Sequence, residues 1–137
     1  MTDTHDATLS VLQPPGWARP RGYSNGIVAH GRMVFVAGQI GWDENCRLVS
    51  GDFAEQTKQA LRNVVAVLKQ AGAGPEHIAR MTWYITDKRE YLAASKAVGQ
   101  AYREIIGAHY PVMTAVQVSA LIEDAAKVEI EVTAVIP

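Results

Sequence analysis

An α+β domain, with a mixed β-sheet that carries two helices on one face, is the fold the sequence predicts. Three observations point to it. Residues 127–136, KVEIEVTAVI, alternate strictly: Val128, Ile130, Val132 and Ala134 face one way, Lys127, Glu129, Glu131 and Thr133 the other. That is the period-two signature of a strand with one buried face. Two segments with apolar residues at helical spacing alternate with strand-like runs, the pattern of a sheet with helices packed on it. With 137 residues, 48% hydrophobic and 20% charged, the chain is suited to one packed core.

Taken in order, residues 13–22, QPPGWARPRG, hold three prolines and two glycines and read as an extended, irregular segment. We divide the chain into a flexible lead-in, residues 1–22, and one domain, residues 23–137. In GIVAHGRMVFVAG two apolar runs flank His30-Gly31-Arg32, which predicts a hairpin turning near Gly31. The first helix starts at Asp52 as cap, with Glu55 three residues on to reach back. Its face is Phe53, Thr57, Ala60, Leu61, Val64, Leu68 and Ala71, and the run AGAGP ends it. ARMTWYIT, residues 79–86, is strand-like. The second helix starts at Asp87, with Glu90 three residues on, and carries Tyr91, Val98, Tyr102, Ile105 and Ile106 as its stripe. Pro111 then opens the strand VMTAVQVSAL, and IEDAA leads to the last strand.

Two helices cover one side of a five- or six-stranded sheet, so the other side asks for cover from further subunits. The formal net charge of −1 lacks the basic surplus of a general nucleic-acid binder. The single cysteine, Cys46, forms no intrachain disulfide and lies in a polar loop without the neighbours of a nucleophile. His5, His30, His77 and His109 have no metal-ligand spacing, and no phosphate-binding glycine loop is present. No apolar run has the length of a membrane span, and the N-terminal MTDTHDATLS lacks a signal-peptide core. We expect a cytoplasmic protein.

Four segments together resemble the RidA family, also called YjgF or L-PSP. VAGQIGWD, residues 36–43, is similar to that family's S-G-Q-I-x-x-D strand end. LVSGDFAEQTKQALRNVVAVLKQAGAG, residues 48–74, follows its pattern of a glycine loop, a Gln-rich first turn, a Leu-x-Asn-Val core and an Ala-Gly stop. YPVMTAVQV stands where the family has Phe-Pro-Ala-Arg-Ser-x-x-x-Val, and KVEIEVTAVI matches its K-I-E-I-E-A-I-A ending. The resemblance implies a chorismate-mutase-like α+β fold, a homotrimer with a barrel-like core of inward-facing sheets, and pockets between subunits. It also implies hydrolysis of small imines and enamines derived from amino acids, with no metal or organic cofactor.

Position by position, the resemblance makes Glu129 the residue that positions the attacking water. An alternating Lys/Glu strand by itself more often carries ordinary solvated carboxylates, and Glu131 stays structural. Tyr23, in GYSNG, matches the pocket tyrosine once an extra residue near His30-Gly31 is allowed; a packed aromatic at a strand start is the even alternative. Ala37, Gly38 and Gln39 match the substrate-binding strand end, with Ala37 where relatives carry serine. Met113, Thr114 and Ala115 match the stretch that the resemblance makes substrate-binding, and its first position is that of the carboxylate-binding arginine. Met113 replaces that arginine with an apolar thioether, losing a planar fork suited to carboxylates. Arg19 and Arg21 precede Tyr23 and read as exposed residues beside proline, and Trp17 and Trp42 are candidates for an apolar pocket wall. These positions predict an enzyme of altered substrate choice, on a ligand with an apolar or aromatic part. The alternative is a trimer that binds a metabolite without turning it over. An endoribonuclease or translation inhibitor is disfavoured by the near-neutral charge and the lack of a basic stripe.

Overall fold

The computed structural model describes residues 8–137; His5 and the first part of the predicted lead-in lie outside them. The strands are β1 (Leu9–Leu12), β2 (Gly26–Ala29), β3 (Arg32–Gln39), β4 (Ile78–Ile85), β5 (Val112–Gln117) and β6 (Val128–Ile136). The helices are α1 (Phe53–Gln70), α2 (Lys88–Ala93) and α3 (Ser95–Ile105), with a 3₁₀ turn at Pro75–His77. The α+β class is as the sequence predicts.

Four strands form the main sheet in the order β3-β6-β4-β5, with β6 antiparallel to both neighbours and β4 parallel to β5. A parallel pair needs a crossover, and α2 and α3 supply it. One face of the sheet is apolar and covered: Val128, Ile130, Val132, Met81, Trp83 and Ile85 pack with Leu61, Val64 and Leu68 of α1. The other face, without a helix, leaves Met33, Phe35 and Val116 exposed, Phe35 to 71%.

Three features differ from the sequence reading. First, β2 and β3 do not form a hairpin. β2 pairs with β1, extended by the His30 N–H donating to the Thr8 carbonyl at 2.9 Å, while β3 pairs with β6. The sheet is therefore split four and two, and part of the segment read as a flexible lead-in is a strand. The chain only bends at Gly31, whose φ is +145° and where an added Cβ would collide with the Ile136 carbonyl. Which strand the neighbouring runs pair with is a long-range choice that alternation does not encode.

Second, the second helix is divided at Ala94, whose ψ of 7° leaves the helical range. Neither glycine nor proline causes the break. Third, the caps are simpler than capping boxes. Asp52 accepts from the Glu55 N–H at 3.0 Å, but the Asp52 N–H is taken by Ser50 Oγ at 2.9 Å, so Glu55 need not reach back. Asp87 accepts from the Arg89 N–H at 2.9 Å, and Glu90 pairs with Lys127 Nζ at 3.2 Å instead. On α1, Ala71 is exposed and Gln56 is fully buried in the face it was expected to share.

Candidate functional site

The register sorts the predicted site residues into two groups. In β6 the apolar Val128 and Ile130 face the helices, so Glu129 faces the uncovered side, opposite Tyr84 of β4. Between Val36 and Gln39 the β3–β6 ladder slips, a bulge of the kind that re-aims side chains at a sheet edge. It brings Gly38 against Glu129: a Cβ built on Gly38 would overlap the Glu129 carboxylate. Glycine is needed there for close approach, not for an unusual φ. Ala37 is exposed and Gln39 donates from Nε2 to the Ala37 carbonyl at 3.1 Å. Ala37, Gly38, Gln39 and Glu129 thus form one group at the β3 side of the sheet.

The second group lies at β5, the opposite edge. Met113 pairs in register with Met81, which is fully buried, so Met113 leans toward the helix face. The chain before β2 is tied along this edge: the Ser24 N–H donates to the Pro111 carbonyl at 3.0 Å and Ser24 Oγ to the Tyr110 carbonyl at 2.5 Å. That places Tyr23 beside Met113. Together with Arg21, Gly22, Tyr91 and Ala115 they line a recess of about 270 Å³. Thr114 lines a neighbouring recess on the uncovered face with Tyr23, Arg80 and Thr82. Within one protomer, then, Met113 and Glu129 lie on opposite faces and near opposite edges of the sheet.

Several further residues named in the sequence have defined surroundings. Arg19 and Arg21 are both exposed, as their setting beside proline suggested, and Arg21 also lines the Met113 recess while Arg19 does not. Trp17 is 63% exposed, and neither it nor Trp42 lines the recesses beside Met113. His109 is held at both ends: its Nε2 lies 2.7 Å from the Ile78 carbonyl and its own carbonyl accepts from the Tyr102 hydroxyl at 2.6 Å. Burial, and then the neighbouring Tyr110, push the Tyr102 phenol well above its ordinary range. Cys46 adopts a positive φ of 59° in an exposed turn closed on Asp43. Glu131 accepts a hydrogen bond from the Tyr84 hydroxyl at 2.5 Å. That bond, then burial and the charges of Glu131 and Glu129, raise the Tyr84 pKa above 10.

The sequence reading missed Gln56. Its Nε2 donates to the carbonyls of Ser50 at 2.9 Å and Ala125 at 3.0 Å, and its Oε1 accepts from the Lys127 N–H at 2.8 Å. It therefore fixes the chain two residues before Glu129. A polar residue on an otherwise apolar helix face was the signal, because burial there requires partners.

Among the described residues no cluster of three or more His, Cys, Asp or Glu is placed to hold a metal ion. No described helix is long and apolar enough to cross a membrane.

A family model described as Endoribonuclease L-PSP matches residues 17–136. A human protein named 2-iminobutanoate/2-iminopropanoate deaminase is 32% identical over 128 residues, 93% of this chain and 88% of its own length. Among solved structures, the conserved Rid-family protein YyfB of Yersinia pestis superposes with a TM-score of 0.84 at 30% identity, covering 95% of this chain and 100% of that one. TdcF of Escherichia coli, solved with bound serine, superposes at 0.69 with 32% identity over 93% of this chain and 99% of its own.

Proposed function

This chain belongs to the RidA/YjgF/L-PSP family, and from that premise we propose that it hydrolyses a small imine or enamine in a pocket completed between the subunits of a homotrimer. Water adds to the imine carbon, the C–N bond breaks, ammonia leaves and a carbonyl product remains. Glu129 holds the water and takes its proton as the carbon is attacked. Tyr23 donates its phenolic hydrogen to the substrate. No metal or organic cofactor takes part in this scheme.

The observation that carries the reading is the splitting of the site. Gly38 and Glu129 stand at one side of the sheet, Tyr23 and Met113 at the other edge. A cyclic head-to-tail contact sets the first group of one subunit against the second group of the next, and three such contacts close a ring. The exposed Met33, Phe35 and Val116 on the uncovered face support the same assembly. The human relative's name supplies the substrate class, imines of small amino acids. Arg21, in the recess with Met113, is the cation we assign to the substrate carboxylate.

Generating 2-iminobutanoate in situ and following keto-acid release tests this. Wild-type protein should accelerate release and Glu129→Gln should abolish the acceleration. Equal rates for the two would contradict the proposal. Met113 favours one other reading, a trimer that binds its metabolite without chemistry, because an apolar side chain replaces the carboxylate clamp; binding of the keto acid without any acceleration would establish it.

A further inference from the structure

Behind Met113, on the helix side of β5, lies a second cavity of about 420 Å³, continuous in its lining with the Tyr23 recess through Gly22, Tyr91 and Met113. The volume is within the range of small-molecule sites. Two ring pairs contribute to its walls. Trp83 and Tyr91 meet edge to face at 6.3 Å, and Tyr102 and Tyr110 stack at 5.8 Å and 9°. Such walls favour a planar ring.

Polarity narrows the choice. Trp83 is 1% exposed, and its Nε1 is the buried side-chain nitrogen left without a partner among the described residues. An indole N–H only donates, and a buried donor left unpaired is costly. It calls for an acceptor. Aromatic walls would also suit a cation, but Arg103 is the one charged residue in the lining and forms no ion pair among the described residues. Its charge disfavours a cationic guest.

Resting on the reading above, we infer that this cavity receives the side chain of the substrate, an aromatic ring bearing a hydrogen-bond acceptor. The imino carbon then lies at Met113 and Tyr23, and the ring lies between the aromatic pairs. Methionine at this position leaves the passage between the recess and the cavity uncharged, so an apolar ring crosses it without desolvating a guanidinium.

The stable keto acids pyruvate, phenylpyruvate and 4-hydroxyphenylpyruvate, titrated calorimetrically into the full chain, test the inference. Phenylpyruvate should bind at least about tenfold tighter than pyruvate, and 4-hydroxyphenylpyruvate about threefold tighter again. Gly99→Leu should bring both to the level of pyruvate. A Cβ at Gly99 meets only the Arg103 guanidinium, at 3.5 Å, so the variant plugs the cavity from the helix without disturbing the core. Trp83→Phe should remove the advantage of the hydroxyl while keeping that of the ring. Equal affinity for all three acids, as when a neighbouring subunit fills the cavity, would overturn the inference, as would ring preference that survives Gly99→Leu. Turnover of 2-iminobutanoate is read separately. Turnover without ring preference sinks the inference alone, and ring binding without any turnover sinks the hydrolytic reading alone.

Discussion

Gly38 stands so close to Glu129 that no side-chain carbon fits between them: a Cβ on Gly38 would overlap the Glu129 carboxylate. The contact is made by the ladder slip between Val36 and Gln39. What yields on substitution is the far end of a flexible side chain, not backbone. Gly38→Ala should therefore leave stability within about 0.5 kcal/mol of wild type, because φ at this position needs no glycine. It should nevertheless lower kcat/KM for 2-iminobutanoate by about a hundredfold, since a displacement near 1 Å of a positioning carboxylate costs that much. Urea denaturation and steady-state kinetics on the same preparation check both halves of this prediction.

Gln56 joins three separate backbone groups, in Ser50, Ala125 and Lys127. Gln56→Leu keeps the volume and removes all three bonds. At about 1 kcal/mol each, the loss should approach 3 kcal/mol in the urea unfolding free energy. Activity measured well below the unfolding transition should also fall, since Glu129 lies two residues beyond Lys127. A variant as stable as wild type would show that the loop before β6 does not depend on this side chain.

Met113→Arg places a guanidinium in the recess with Tyr23 and Arg21. A charge-assisted hydrogen bond is worth about 1.5–3 kcal/mol, so KM for 2-iminobutanoate should fall by at least about tenfold. Arg21→Gln in the wild-type background should raise KM by about threefold, a smaller effect because Arg21 is exposed. An unchanged KM in Met113→Arg would place the substrate carboxylate elsewhere.

The Tyr102 phenol is raised above its ordinary pKa of 10, mainly by burial and then by Tyr110. The folded protein thus holds this proton more tightly than the unfolded chain. Its contribution to stability is complete below pH 10, where both states are protonated, and is lost as pH rises above 10. Unfolding free energy should decline from about pH 10 upward, and Tyr102→Phe should flatten that decline even though it is less stable at pH 7 for want of the His109 bond. Denaturant titrations at a series of alkaline pH values measure the slope.

Local patterns made much of this molecule legible. The alternation of Val128 to Ala134 gave the covered face of β6, and Asp52 and Asp87 marked both helix starts. The uncovered sheet face followed from counting two helical stripes against the strands. Long-range pairing was not legible: Gly26–Ala29 pairs with Leu9–Leu12, not with the run that follows Gly31. Nor did spacing reveal that Arg21 would reach Met113, because the tether is the Ser24 hydrogen bonds to Tyr110 and Pro111 on a distant segment. Trp83 lies in the run 79–86 that read as a strand; that its indole N–H would lack a partner among the described residues depends on three-dimensional packing.

Subunit mixing tests the divided pocket most directly. Glu129→Gln and Tyr23→Ala chains, each inactive alone, are unfolded together in equal amounts, refolded, and assayed for keto-acid release. If neighbouring chains supply the two groups, every mixed trimer holds one intact pocket, and random assembly restores about a quarter of wild-type activity. A mixture no more active than the average of its two components would contradict a site shared between subunits.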